Sequence, residues 1–180
     1  WHWKEAEVTG YLNFNLAYKH HFPESGHELN VGAQYVRGWE DESYFLNDSS
    51  AVRVGQDMTH IIATENTSSF TADYVKPLRS GRVEVGAKLQ IRTIPVTYEI
   101  LRGQQSIIHE GLGEYSDWGE NIYAGYLNYV LEKEKMDIEG GLRIEQVEVF
   151  YDIDPQNIYY PENDAYNYFK LYPNIRWTFK

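Results

Sequence analysis

The stretch Arg82–Arg92, RVEVGAKLQIR, decides the fold of this chain. Apolar side chains occupy every second position, and charged or small ones occupy the positions between them. Successive side chains of a strand point to opposite faces, so one face is fully apolar: Val83, Val85, Ala87, Leu89 and Ile91. An α-helix does not produce this period, and the stretch therefore predicts a β-strand.

Two kinds of protein contain strands of this type. In a soluble sheet the apolar face covers a core, whereas in a transmembrane barrel it meets lipid and the polar face lines a wet interior. A tilted strand needs about 9–11 residues to cross the hydrocarbon layer, while strands of soluble proteins are usually about 5–6 residues long. The unbroken alternation from Arg82 to Arg92 therefore favours a membrane strand.

The composition fits this interpretation and excludes other classes. The 16 Tyr and 5 Trp would supply the aromatic girdles of a barrel, although an aromatic-rich soluble β-protein remains an alternative. The 27 acidic and 16 basic residues argue against a nucleic-acid partner, which requires clustered cations. No cysteine is present, so neither disulfides nor thiolate chemistry are available.

No apolar run approaches the roughly 20 residues of a transmembrane helix. The chain begins at Trp1 without a charged and apolar leader. We therefore expect that a signal peptide was removed or that the chain is a piece of a longer one.

Six further segments show period 2: residues 11–21, 29–35, 70–74, 121–131, 137–147 and 175–179. The fifth strand, 121–131, has apolar residues in both registers, which leaves its apolar face open. Short turns alternate with connections predicted to be long, at 37–59, at 93–119 and before the last strand. Outer-membrane barrels alternate in this way, and seven strands cannot close one. The sequence predicts an all-β antiparallel meander of about seven amphipathic strands, with residues 1–180 forming one segment of a larger transmembrane barrel.

Four phrases, in this order, resemble a known family: DYVKPLRSGRVEVGAKLQIR (Asp73–Arg92), ENIYAGYLNYV (Glu120–Val130), EGGLRIEQ (Glu139–Gln146) and YFKLYPNIRWTFK (Tyr168–Lys180). They are similar to the barrel of TonB-dependent outer-membrane receptors, and most of all to the outer membrane protein beta-barrel family.

The resemblance implies a barrel of about 22 strands in the outer membrane of a Gram-negative bacterium. It also implies an N-terminal plug domain, energy supplied by a TonB-type partner and uptake of a scarce nutrient ligand. Membrane lipid would surround the barrel. No plug and no energy-coupling box is recognisable here, and no enzyme motif, cofactor or metal site is predicted.

Three charged residues on the polar faces of strands are candidates for contact with the plug or a substrate: Arg92, Arg143 and Glu145. The last two stand in the family's GLR-x-E phrase. The alternative is that they line the lumen or form cross-strand pairs, which contribute roughly 0.2–1 kcal/mol each.

Two apparent metal motifs are rejected. His20 and His21 are adjacent on a strand and point to opposite faces, so with His27 they are expected to be solvated rim residues. Asp152 and Asp154 begin a calcium-loop pattern that lacks its required Gly and Glu, because Asn157 and Asn163 stand there.

Aromatic residues in the predicted loops are the better candidates for ligand contact, since exposed rings stack on sugars or peptides. They are Trp39, Tyr44, Phe45, Tyr115, Trp118, Tyr159 and Tyr160. The alternative is that they form the interfacial girdle or pack the loops together. For the whole chain, the rival to a receptor wall is a soluble or surface β-sheet binding module without enzymatic activity, whose open edges would pair between two copies.

Overall fold

The computed structural model describes residues 2–49, 54–106, 108, 111, 113–159 and 165–180. Within them the chain forms strands, and no helix long and apolar enough to span a membrane occurs among these residues. The strands are β1 (His2–His21), β2 (Glu28–Ser49), β3 (Val54–Leu78), β4 (Gly81–Arg102), β5 (Tyr115–Glu132), β6 (Met136–Ile153) and β7 (Ala165–Phe179).

The seven strands form a single antiparallel sheet in the order β1-β2-β3-β4-β5-β6-β7. Every strand pairs with its neighbour in sequence, and β1 and β7 are the open edges, so the sheet is not closed. The predicted all-β antiparallel meander of seven strands is confirmed.

The strands are much longer than the sequence pattern indicated. The predicted loop 37–59 is wrong, because β2 continues to Ser49 and β3 begins at Val54. The predicted loop 93–119 is also too long, since β4 continues to Arg102 and β5 begins at Tyr115. Backbone pairing does not require an apolar face, so the ladders persist where the alternation of side chains ends.

The connections differ at the two ends of the sheet. We call residues 22–27, 79–80 and 133–135 the short-turn rim, and the opposite end, with connections 103–114 and 154–164, the loop end. The connection between β2 and β3, at 50–53, also belongs to the loop end but lies outside the described residues. The predicted alternation of short and long connections therefore holds for the last four connections. The predicted long loop 37–59 is replaced by a longer β2–β3 hairpin.

The register assigns every side chain to one of two faces, because directly paired residues lie on the same face. The apolar residues of β4 lie beside Phe70, Ala72 and Tyr74 on β3 and beside Tyr123, Leu127 and Tyr129 on β5. This settles the register of the fifth strand that the sequence left open. We call the continuous apolar band across all seven strands the belt, its side of the sheet the belt face, and the other side the polar face.

The belt crosses the pairing rows obliquely. The middle residue of the belt on β4 is Ala87, and successive strand pairs connect it through Ala72 and Val31 to Tyr18 on β1. The belt on β1 covers residues 12–18, so Tyr18 lies three residues beyond its middle. In the other direction, successive strand pairs connect Ala87 to Leu171 on β7. The belt on β7 covers residues 169–179, so Leu171 lies three residues before its middle. The belt therefore shifts by about one residue per strand. With about 3.3 Å per residue and 4.8 Å between strands, this shift corresponds to a strand tilt of about 35°.

The two faces differ in exposure. Large apolar side chains of the belt are exposed, including Leu16 at 72%, Phe70 at 51% and Leu127 at 54%. The buried apolar side chains lie on the polar face instead: Val130, Val147, Val149 and Ile153. Crowding on one face and exposure on the other is expected of a curved wall with the polar face inside.

Candidate functional site

Arg92 stands on the polar face, where β3, β4 and β5 meet. Its Nε donates to Glu65 Oε1 at 2.7 Å, and its guanidinium lies 5.4 Å from the centre of the Trp118 ring. The carboxylate and the ring hold the cation from two sides, an arrangement typical of Arg. Arg92 is therefore a positioned charge on the predicted face.

Arg143 and Glu145 are also on the polar face, but they pair with each other. Arg143 Nη2 donates to Glu145 Oε2 at 2.9 Å, two residues further along β6. The Glu145 side chain is 17% exposed and that of Arg143 is 39% exposed. The two charges pair within β6 and not across strands as the alternative interpretation expected, and contact with a plug or substrate stays a prediction.

Ion pairs continue along the polar face to the short-turn rim. Arg82 bridges Glu84 and Glu132, while Lys19 meets Glu28 at 2.8 Å. On the last strand, Arg176 meets Glu139 and Lys180 meets Asp137. Such exposed pairs add little stability individually, so their main effect is to leave this part of the face nearly neutral.

One contact of the polar face was missed by sequence reasoning. Tyr126 lies over Gly86, and its hydroxyl donates to Asp73 Oδ1 at 2.6 Å. A Cβ on Gly86 would overlap the Tyr126 ring. The available signal was Gly86 itself, because a glycine inside a regular strand often marks close approach of another group.

Nearer the loop end the polar face becomes acidic. Carboxylate oxygens of Glu5, Glu7 and Glu42 lie within 4.8 Å of one another, close enough to share a divalent cation in principle. Tyr44 donates to Glu42 at 2.6 Å and stacks on Trp3 with ring centres 6.0 Å apart. Tyr44 lies beyond the belt, and the hydrogen bond to Glu42 raises its pKa to about 12. Exposed acidic groups are common without an ion, so proximity alone does not make this cluster a metal site.

A cavity of about 780 Å³ lies at the loop end, beside the unpaired edge of β4. It is lined by Tyr98, Glu99, Arg102, Glu114, Tyr115 and Gln156, among others. Its size is within the range of small-molecule sites, and its lining mixes aromatic rings with charges of both signs.

Asp154 holds the two connections beside this cavity together. Its side chain is buried and accepts hydrogen bonds from the backbone N–H groups of Glu114, at 2.7 Å, and Gln156, at 2.8 Å. Both carboxylate oxygens are therefore used by the backbone. This gives Asp154 a structural role.

The model of the outer membrane protein beta-barrel family matches residues 20–180. The chain belongs to the outer membrane protein beta-barrel family. The belt and the polar face are thus the lipid side and the interior side of an outer-membrane barrel wall.

A solved structure shows the same fold. The ferric citrate transporter FecA, in its unliganded form, is similar with a TM-score of 0.62 and 14% sequence identity. The match covers 97% of this chain and 25% of that chain, so this chain spans about a quarter of the FecA chain. No curated protein matches the sequence significantly.

The aromatic residues predicted to contact ligand lie on different faces of the sheet. Five of the seven lie on strands and not in loops, which corrects that prediction: Trp39, Tyr44, Phe45, Tyr115 and Trp118. Tyr44 and Trp118 are on the polar face. Trp39 and Phe45 are on the belt face, where Trp39 covers Gly10. Tyr115 lines the loop-end cavity, Tyr159 is exposed in the connection 154–164, and Tyr160 lies outside the described residues.

The three rim histidines do not converge on one point. His20 pairs with Leu29 on the belt face, and His21 pairs with Glu28 on the polar face. His27 Nε2 lies 2.8 Å from the Tyr74 hydroxyl, and its ring stacks on Phe22. The opposite faces of His20 and His21 are as expected, but the expectation of a solvated rim residue is wrong for His27, whose side chain is 15% exposed.

Proposed function

We propose that this chain is one wall of a TonB-dependent transporter barrel that admits a scarce nutrient across the outer membrane of a Gram-negative bacterium. The observation that carries the proposal is a sheet with an exposed belt on one face and a chain of charges on the other. The backbone fold of a known transporter, which this chain shares, supports it. In this proposal the wall works without chemistry of its own and requires no cofactor.

The polar face supports a role in guiding a ligand or docking a plug domain. Arg92 is held by Glu65 and Trp118, and Arg143 by Glu145, so these cations are fixed in place before any partner arrives. Preorganised charges favour specific docking, because little side-chain entropy remains to be lost. In the proposal, these three residues contact the plug or the passing substrate.

Ligand capture would take place at the loop end. Tyr44 and Trp118 face the interior, Tyr115 lines the cavity beside β4, and Tyr159 is exposed in the connection 154–164. We place Trp39 and Phe45 in the outward surface beyond the belt and not in capture, because they lie on the other face. Tyr160 is retained as a candidate from its sequence position.

Transport is tested by uptake in cells. Cells with and without the protein are supplied with a panel of scarce solutes, before and after the inner-membrane proton gradient is collapsed. The proposal expects uptake of at least one solute that needs both the protein and the gradient. Uptake that survives collapse of the gradient would indicate a passive pore, and no protein-dependent uptake of any solute would refute transport.

The position of the wall is tested with introduced cysteines, since the chain has none of its own. Leu89→Cys places the thiol on the belt face, and Gln90→Cys places it on the polar face at nearly the same depth. A water-soluble maleimide should label only the second in membranes. Equal labelling of both would favour the rival binding module, in which edges of two copies pair.

A further inference from the structure

The short-turn rim and the adjoining end of β3 carry cations that the ion pairs of the polar face do not use. Lys76, Arg79, Lys133 and Lys135 are all exposed. The structure describes the whole of this rim, and within it none of the four side chains forms an ion pair. The rim cations on the polar face, in contrast, each face a carboxylate: Lys19, Arg82, Arg176 and Lys180.

These four cations lie at the edge of the belt. Lys76 pairs with Val83, a belt residue, so its side chain leaves the sheet on the belt face. On β7, Trp177 and Phe179 stack with ring centres 5.1 Å apart and are exposed, and Phe179 pairs with Met136 beside the turn 133–135. Exposed aromatic pairs of this kind mark the membrane interface. The turns therefore lie at the depth of lipid headgroups.

Neighbouring acidic groups do not cancel this charge. Glu134 lies between Lys133 and Lys135, and Glu24 lies in the turn 22–27 near His27. The other rim carboxylates, Glu84, Glu132, Asp137 and Glu139, face cations on the polar face. Glu84 and Glu132 share the single cation Arg82, so the four cations are opposed by Glu24, Glu134 and one further carboxylate. In a chain of net charge −11, this end of the sheet thus keeps a small excess of positive charge.

The loop end lacks this geometry. There the strands continue well beyond the belt, as β4 does from Ile91 to Arg102, so charges at its tip are far from the headgroups. Among the described residues, Arg37 is one exposed cation at the other edge of the belt, where it pairs with Leu12, whereas the short-turn end places four exposed cations within reach of lipid phosphates.

We propose that the short-turn rim binds the headgroups of anionic phospholipids, and that Lys76, Arg79, Lys133 and Lys135 make the contacts. The surface continues the belt, its charge complements the phosphate, and its depth matches the headgroup layer. Binding would fix the vertical position of the wall in that leaflet. The inference depends on the barrel wall alone and goes beyond the transport proposed above.

The test uses the protein in nanodiscs with spin-labelled phosphatidylglycerol or phosphatidylcholine, where the fraction of immobilised label reports lipid at the protein surface. We expect phosphatidylglycerol to be preferred. Each contacting cation should account for up to about a fivefold preference, because one Lys or Arg near an anionic surface contributes about that factor. The variant K76Q/R79Q/K133Q/K135Q should lose most of the preference.

A matched pair of double variants controls for general loss of charge. K133Q/K135Q removes two rim cations, while K88Q/K170Q removes two cations of the polar face. The first should lower the preference and the second should leave it unchanged. Equal effects of both variants would overturn the proposal, as would equal immobilisation of the two labels by the unmodified protein.

Two further measurements use the unmodified protein, so the proposal can still be tested if the quadruple variant does not fold. High salt should remove the preference of the unmodified protein, since screening weakens contacts between exposed charges. A preference that persists in high salt refutes an electrostatic site. Glycerol phosphate should not compete at concentrations comparable to the lipid, and effective competition would assign the rim to a soluble phosphate ligand instead.

Discussion

Phe70→Arg is the substitution that most directly tests which side of the sheet meets lipid. Phe70 lies on β3 in the interior of the sheet, flanked by Ala33 and Leu89 on the belt face, and it is 51% exposed. The oblique course of the belt places its middle on β3 close to Thr71, so Phe70 lies within about one residue of the mid-plane.

The expected cost follows from this depth. Arginine on the lipid face costs about 2–4 kcal/mol at the bilayer mid-plane and nearly nothing near the interfaces. Loss of the aromatic contact with Leu89 adds roughly 0.2–1 kcal/mol. The neighbouring substitution Ser69→Arg introduces the same side chain on the polar face, between Gln34 and Gln90. It should change the free energy of unfolding by only about 0.5 kcal/mol.

The assay is reversible folding of the protein in lipid vesicles, followed by tryptophan fluorescence during denaturant titration. Phe70→Arg should shift the midpoint strongly, Ser69→Arg should shift it little, and Phe70→Leu should lie close to the unmodified protein. Equal destabilisation by the two arginines would refute the assignment of faces. Ser69→Arg as the more damaging change would reverse it.

The remaining predictions concern the polar face and the loop end. Gly86→Ala should destabilise the protein by about 1–3 kcal/mol in the same vesicle assay, because its Cβ would overlap Tyr126 and Asp73, whereas Gly38→Ala, with open space around it, should be nearly neutral. Asp154→Ala should cost about 1–3 kcal/mol locally, since two backbone donors lose a charged acceptor, and should make residues 103–114 more sensitive to protease than the exposed control Asp152→Ala does. His60 lies beyond the belt, where its hydrogen bond to Asp41 and the nearby Glu99 raise its pKa above 6.5. Its contribution to stability should be complete below pH 6.5 and lost as the pH rises through the raised pKa; NMR titration should show this shift, and Asp41→Asn should reduce it.

The belt region was predictable because lipid imposes a strict rule on it. Every second residue of Arg82–Arg92 must be apolar when one face meets hydrocarbon, and this rule is visible in the sequence without any knowledge of partners. The register of β5 was not predictable from its own residues. Gly125 and Leu127 belong to the belt only because Ala87 and Val85 stand beside them.

The loop end was predicted less well for a physical reason. Beyond the belt both faces of β2 and β3 meet water, so residues such as Glu42 and Tyr44 need not alternate in polarity, and the strand has no signature of period 2. The ladder of backbone hydrogen bonds still favours continued pairing. The aromatic candidates were therefore recognised as residues, but their faces depend on a register that the local sequence does not encode.

The shape of the belt distinguishes lipid from a protein partner. On β4 the belt runs from Val83 to Ile91, and nine residues at about 3.3 Å with a tilt of about 35° give a height of roughly 24 Å, close to the apolar band of about 25 Å in outer-membrane barrels. A lipid layer crossed by tilted strands requires a steady shift of the apolar band from one strand to the next. The belt shows that shift, three residues from β4 to β1 and three from β4 to β7. A second protein layer would require only a complementary patch of any outline. A band that follows the strand tilt is therefore explained by a membrane and not by the packing of two copies.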